Sequence, residues 1–302
     1  MRDLIIQGMR RSGTTVLFDV FVRDPRFETY YEPLNDVPSS AALGGGSGLH
    51  QIDLFAAVRG VRAGLAAAPG AVDESLLNHG GPARPEVECR EDMPGFVEEY
   101  VKRVLGAPGP KVTKFVRMGS KVHTLARLAP ESVLAWPVRD PREVVRSHIL
   151  GRGGRTSHRY PSADAVFTVA STRDPWSVRR LSEALIARDR LEFDAPLSDV
   201  ERIVLVWADA VRTMMVDGPE GFGERSLMMR HEDFCADPAG VLTRLFEALG
   251  GSPDPDTVRW CQEVVREPTP WVHATDARWR TVFERTGAMD LVVDLGYFDP
   301  SG

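Results

Sequence analysis

The segment GMRRSGTT, residues 8–15, concentrates the features that a protein uses to hold an anion. It follows an apolar run at residues 4–6 and precedes VLFDVF, residues 16–21, whose apolar side chains recur at helical spacing. Backbone N–H groups at the start of that predicted helix would face an anion, and the helix dipole would favour it. The residues that we expect to hold the anion are Arg10, Arg11, Ser12, Gly13, Thr14 and Thr15.

The loop departs from a nucleoside-triphosphate site at one position. Gly8 and Gly13 keep the spacing of G-x-x-x-x-G-K-[ST], but Thr14 stands where that pattern has lysine. Because the lysine is the group that reaches the β- and γ-phosphates, we expect a smaller terminal anion and no need for Mg²⁺. A P-loop-type nucleoside or nucleotide kinase and a non-catalytic nucleotide-binding protein remain alternatives, since both can use the same strand–loop–helix unit.

Two separate motifs resemble the sulfotransferase family. RRSGTT in the first strand-to-helix turn is similar to the family's [KR]SGTT loop, which binds 3′-phosphoadenosine 5′-phosphosulfate (PAPS). VRDPREVVRS, which carries Arg139 and Ser147 eight residues apart, resembles the family's 3′-phosphate site. The resemblance implies PAPS as donor, adenosine 3′,5′-bisphosphate (PAP) as product, no metal, and a 3′-phosphate bound by Arg139 and Ser147.

Two further segments resemble the same family. Residues 230–250, RHEDFCADPAGVLTRLFEALG, have His231 where the family has an aromatic residue near the adenine. Residues 277–283, ARWRTVF, are similar to a C-terminal family segment, which suggests that Arg278 and Arg280 close over the cofactor.

The resemblance also suggests the catalytic residues. The cytosolic small-molecule members use a histidine two residues after a lysine, and that position after Lys114 is Val116 here. The spacing is closer to the tyrosylprotein, glycan and bacterial branch, in which a glutamate about twenty residues after the loop is the base. Glu32, 21 residues after Arg11, matches that glutamate.

Lys114 precedes Arg139 by 25 residues, the interval between the catalytic lysine and the 3′-phosphate arginine in that branch. The resemblance therefore implies that Glu32 accepts the acceptor's proton and that Lys114, with Arg11, stabilises charge during transfer. Arg117 is an alternative to Lys114, and His50 is a second candidate base.

Composition limits the choice of partner. With 43% hydrophobic and 26% charged residues, the chain has the composition of a globular protein. A formal charge of −6 and a pI near 5.7 argue against a nucleic-acid partner. No apolar run approaches the ~20 residues of a membrane helix, and Cys89, Cys235 and Cys261 have no metal-site or disulfide spacing. We expect a cytoplasmic enzyme acting on a small-molecule hydroxyl; the sequence does not determine the acceptor or the oligomeric state.

Strands alternating with helices predict an α/β protein, a three-layer P-loop-like fold with a central parallel sheet flanked by helices. The predicted strands are residues 4–6, 112–116, 133–138 and 227–230. We expect one domain over residues 1–302, with variable inserted segments at about 38–110, including a mobile GGGSG loop at 44–48, and at about 151–198.

Helix starts are predicted at two aspartates. Asp140 would cap a helix that begins with Pro141, with Glu143 completing a capping box. Asp237 and Pro238 repeat the arrangement.

Overall fold

The computed structural model describes residues 1–34, 54–66, 85–150, 165–168, 178–265 and 276–299. Within these ranges, five strands form one sheet: β1 (Leu4–Gln7), β2 (Glu28–Tyr31), β3 (Lys111–Phe115), β4 (Val133–Val138) and β5 (Ser226–Arg230). Their order is β2-β3-β1-β4-β5, and every neighbouring pair is parallel. All the carboxyl ends therefore lie along one edge, where ligands bind in open α/β sheets.

The helices pack on both faces of this sheet. Those of the described residues are α1 (Thr14–Val22), α2 (Ala56–Ala66), α3 (Pro85–Glu88), α4 (Gly95–Leu105), α5 (Val122–Leu128), α6 (Pro141–Ile149), α7 (Ala165–Thr168), α8 (Val178–Asp189), α9 (Asp199–Phe222), α10 (His231–Ala236), α11 (Pro238–Ala248), α12 (Pro255–Val264), α13 (Asp276–Arg285) and α14 (Met289–Asp294). In this part of the chain, no helix has both the length and the apolar character needed to cross a membrane.

Alternation along β1 separates two hydrophobic cores. Leu4 and Ile6 are fully buried in one cluster with apolar residues of α1 and α11. Ile5 is fully buried in the other cluster, with residues of α4, α5, α6 and α9. Because successive side chains of a strand point to opposite faces, the two clusters are the two interfaces of a three-layer fold.

The predicted fold class is therefore confirmed, together with the four predicted strands. The strand β2 was missed because its four residues, ETYY, lack an apolar run; Glu28 at its start is exposed and Tyr30 is buried. The GGGSG loop at 44–48 lies outside the described residues. The division into one domain with inserted segments stays a prediction.

The predicted helix starts are confirmed, but the capping box at α6 is wrong. Asp140 accepts a hydrogen bond from the N–H of Arg142 at 2.8 Å, as an N-cap should. The backbone N–H of Asp140, however, donates to Glu232 Oε1 at 3.0 Å, from α10, while Glu143 pairs with Arg139 and Arg146. A carboxylate from a neighbouring element has taken the role expected of Glu143.

Candidate active site

The anion loop joins β1 to α1 and begins the helix without a side-chain cap among the described residues. Gly13 is the N-cap residue and has φ of 98°, a conformation that glycine adopts without strain. The Ser12 hydroxyl donates to the Met9 carbonyl at 2.7 Å, so this side chain braces the loop and is buried. Thr14 is buried and Thr15 is partly exposed at the first turn of α1.

An open cleft at the carboxyl edge of the sheet brings several predicted site residues together. Its lining residues are Arg10, Arg11, Thr14, Thr15, Tyr31, Glu32, Lys114 and Val116. The loop after β1, the end of β2 and the end of β3 each contribute to this list, because these three strands are neighbours in the sheet. The proximity of Glu32 and Lys114 to the loop is thus a consequence of the strand order.

Glu32 and Lys114 form an ion pair inside this cleft. The Lys114 side chain is fully buried, and its Nζ also lies 4.2 Å from the centroid of the Tyr31 ring. Pairing between β2 and β3 brings the two residues together. Tyr31 lies opposite Lys114 in the sheet, and the N–H of Glu32, the next residue, donates to the Lys114 carbonyl at 2.9 Å. Glu32 has φ of 41°, a conformation in which non-glycine residues are strained and which is common at functional sites.

The helix α6 meets the anion loop through Ser147. The Arg11 Nε donates to Ser147 Oγ at 2.8 Å, which joins two of the predicted donor-binding elements. At the start of α6, the Arg139 carbonyl accepts a hydrogen bond from Trp207 Nε1 at 2.9 Å, and Trp207 is buried in the core. The Arg139 guanidinium donates to Glu143 at 3.1 Å, while its Nε is buried without a hydrogen-bond partner among the described residues.

His231 packs directly against the loop. Its Nδ1 lies 2.6 Å from the position that a Cβ on Gly13 would occupy, so glycine is required here by both backbone conformation and space. Burial, together with the charge of nearby Arg139, lowers the pKa of His231 to about 4. The imidazole is therefore neutral at pH 7.

A second buried histidine, His148, follows Ser147 on α6. Its Nδ1 is 2.9 Å from the Val144 carbonyl, which makes Nδ1 the protonated nitrogen. Burial lowers the pKa of His148 to about 4, and Arg11 and Arg10 contribute in the same direction while the bond to Val144 opposes it.

Arg278 and Arg280 contact aromatic rings. Arg278 lies over Phe167 at 5.3 Å and Arg280 over Phe298 at 5.4 Å, on either side of the buried Trp279. Their role in closing over the cofactor stays a prediction. The candidate base His50 lies outside the described residues.

The sequence analysis missed Glu88. This residue ends α3, and its carboxylate binds Arg10 through both terminal nitrogens at 2.8 and 2.9 Å. Arg117 donates to the same carboxylate at 2.8 Å. No local signal could have identified Glu88, because 78 residues separate it from Arg10 and it falls in the segment interpreted as an insertion.

Comparisons with known proteins found distant similarity to solved structures. No protein-family model matches the chain, and no curated protein matches it. Among the solved structures that resemble this chain is the sulfotransferase STF9 from Mycobacterium avium, at 15% sequence identity and a TM-score of 0.48. The match covers 94% of this chain and 75% of that chain. The similar structures also include the sulfotransferase domain from the curacin biosynthetic pathway, with 14% identity, 99% of both chains covered and a TM-score of 0.44. These similarities are too distant to carry over a reaction or a residue's role.

Proposed function

We propose that the protein is a sulfotransferase that moves a sulfuryl group from PAPS to a hydroxyl of a small-molecule acceptor and releases PAP. The observation that carries this proposal is the cleft in which the Glu32–Lys114 pair lies beside the uncapped start of α1. Such a cleft offers an anion site and a candidate base within one enclosure.

The charges around the cleft favour a donor with a strongly anionic end. Among the described residues, Arg10, Arg11 and Lys114 line the cleft together with Glu32. Arg117 and Glu88 lie beside it as an ion pair, so these four cations exceed the two carboxylates by two charges. The backbone N–H groups at the start of α1 add to this field. A phosphosulfate group, which has no need of the lysine that Thr14 replaces, fits these features.

A second phosphate on the donor fits the start of α6. The buried Arg139 Nε has no hydrogen-bond partner among the described residues, and a guanidinium in that state favours an additional anion. Ser147 accepts from Arg11 through its oxygen, so its own hydrogen remains able to donate to a phosphate. His231 would then lie between this region and Gly13, as a neutral ring near the nucleotide.

The chemistry assigns complementary roles to the paired side chains. The donor supplies a sulfuryl group on a good leaving group. Glu32 would accept the proton of the acceptor hydroxyl as the new S–O bond forms, and Lys114 would stabilise the negative charge on the departing bridging oxygen. Because Lys114 is fully buried, its charge acts through a weakly screened environment. These roles correspond to the tyrosylprotein, glycan and bacterial branch of the family.

The first test is calorimetric titration with PAP, run beside ATP with Mg²⁺. We expect PAP to bind, and ATP to bind at least about tenfold more weakly. In Arg139→Ala, the free energy of PAP binding should become less favourable by about 1.5–3 kcal/mol. Arg103→Ala is a charge-matched control, since Arg103 pairs with Glu99 on the exposed face of α4. Tight binding and turnover of ATP, with no preference for the 3′-phosphate, would indicate a kinase instead.

A second test concerns turnover. PAP release from PAPS is measured across a panel of alcohols, phenols and sugars for wild type and Glu32→Gln. We expect Glu32→Gln to reduce kcat by about 10²–10⁴-fold with PAP affinity nearly unchanged. Equal loss of turnover and of PAP binding would mean that Glu32 only supports the fold of the cleft.

A further inference from the structure

Glu88 binds two arginines, Arg10, which lines the cleft, and Arg117, which follows the lining residue Val116. Its carboxylate is 2.8 and 2.9 Å from Arg10 and 2.8 Å from Arg117, and the residue is 8% exposed. Charge-assisted bonds of this kind are strong and directional, particularly where one guanidinium is held through two parallel bonds. The Glu88 carboxylate therefore bridges the two arginine head groups.

The backbone around Glu88 is anchored independently of that carboxylate. The fully buried Lys121 donates to the carbonyls of Val87 and Arg90 at 2.7 and 2.5 Å. The Ser120 hydroxyl donates to the Glu88 carbonyl, and Arg188 donates to the Cys89 carbonyl at 3.1 Å. This short helix end is held from two sides, so the position of the Glu88 side chain is set by the fold.

Both arginines are within electrostatic reach of Glu32. Arg10 lines the same cleft as Glu32. The pKa of Arg117 is lowered first by burial and then by Arg10, while the negative charges of Glu88 and Glu32 act in the opposite direction. Glu32 is thus a second carboxylate to which these two arginines are attracted.

We propose that Glu88 is a positioning residue that holds Arg10 at the cleft and Arg117 beside it, and that it keeps both guanidinium groups from pairing with Glu32. The proposal rests on the proposed function in one respect, namely that Glu32 is the base. A carboxylate bound by guanidinium groups is a poorer proton acceptor, because each such bond stabilises its charged form. Glu88 would therefore maintain the reactivity of a residue that it does not touch.

The first experiment is structural and does not depend on activity. Crystal structures of wild type and Glu88→Gln, each with PAP in the drop, are compared at Arg10 and Arg117. Glutamine keeps the size of the side chain and removes its charge. We expect the guanidinium of Arg10 or Arg117 to form an ion pair with Glu32 in the variant. If both remain on residue 88 as in the wild type, the proposal is wrong.

The second experiment measures kcat and KM for PAPS with an acceptor from the panel described above. We expect Glu88→Gln to lower kcat about 5- to 50-fold, with the KM for PAPS and the Kd for PAP within about threefold of wild type. Adding Arg117→Gln to Glu88→Gln removes the surplus cation and should restore part of kcat. A purely structural role predicts the reverse, a double variant that is worse than Glu88→Gln.

Two further variants complete the design. Glu201→Gln is the matched control, because Glu201 is similarly buried but pairs with Arg285 rather than with Arg10 or Arg117. It should leave kcat unchanged. Glu88→Asp keeps the charge and should retain most of kcat, so it tests the proposal even if Glu88→Gln folds poorly. A loss of kcat in Glu88→Asp as large as in Glu88→Gln would overturn the proposal. Failure of the proposed function would differ from all of these results, since the wild type itself would neither bind PAP nor release it from PAPS.

Discussion

Replacing Gly13 by alanine combines two separable effects, and the chain contains a control for one of them. Gly13 has φ of 98°, and a Cβ there would lie 2.6 Å from His231 Nδ1 and 3.2 Å from two ring carbons. Gly109 has φ of 80°, and a Cβ there would meet nothing within 4 Å. Gly109→Ala therefore has a similar backbone cost without the steric contact.

The expected magnitudes follow from these two features. A left-handed backbone costs an alanine about 1–2 kcal/mol, which applies to both variants. Forcing a methyl group into a closely packed site costs about 1–3 kcal/mol more, which applies only at Gly13 because the ring of His231 must move. We expect Gly13→Ala to lower the free energy of unfolding by about 2–5 kcal/mol and Gly109→Ala by about 1–2 kcal/mol.

Urea unfolding gives these free energies, and PAP titration gives the effect on the anion site. We expect Gly13→Ala to lose at least about tenfold in PAP affinity, because the loop must shift, while Gly109→Ala binds as wild type. In a His231→Ala background, the extra cost of Gly13→Ala should disappear. The reasoning is refuted if Gly13→Ala and Gly109→Ala are equally stable, or if the extra cost persists without the imidazole.

Further predictions concern pH and helix capping. Below pH 6.5 the folded protein binds fewer protons than the unfolded chain at His148 and His231, whose pKa values burial lowers to about 4. Their contribution to the free energy of unfolding is complete above pH 6.5 and is lost as the pH falls toward 4. The loss is about 2 kcal/mol per histidine between pH 6.5 and 5. Urea unfolding at several pH values measures it, and in His148→Gln the loss caused by the two histidines should be halved. Asp140→Ala should cost about 1–2 kcal/mol in thermal unfolding, because Asp140 both caps α6 and pairs with Arg142. Asp237→Ala, which removes a more exposed cap of α11, should cost less.

The Glu88 cluster also bears on how the cleft responds to substitution. Arg10 belongs to the anion loop, yet both of its terminal nitrogens contact Glu88, which lies 78 residues away. An arginine whose terminal nitrogens are bound to a carboxylate must give up those bonds before it can bind an anion directly. We therefore expect Arg10→Ala to reduce PAP affinity by less than the position of Arg10 in the anion loop would suggest.

The local features of this protein follow from short stretches of sequence. The strand–loop–helix unit of residues 4–22, the strands β3, β4 and β5, and the N-caps Asp140 and Asp237 all agree with the predictions. Each depends on residues within about one helical turn or one strand of each other. The physical interactions that produce them are equally local, namely backbone conformation, capping and the burial of an apolar run.

The contacts of the candidate site depend on tertiary structure. The proximity of Glu32 and Lys114 results from pairing between β2 and β3, and β2 carries no sequence signal of its own. Glu88 reaches Arg10, and His231 reaches Gly13, only because separate elements pack at the same edge of the sheet. Side-chain partners of this kind are selected by the packing of elements far apart in the chain, so the sequence alone determined the residue types and their spacing, while the fold decided which charges neutralise one another.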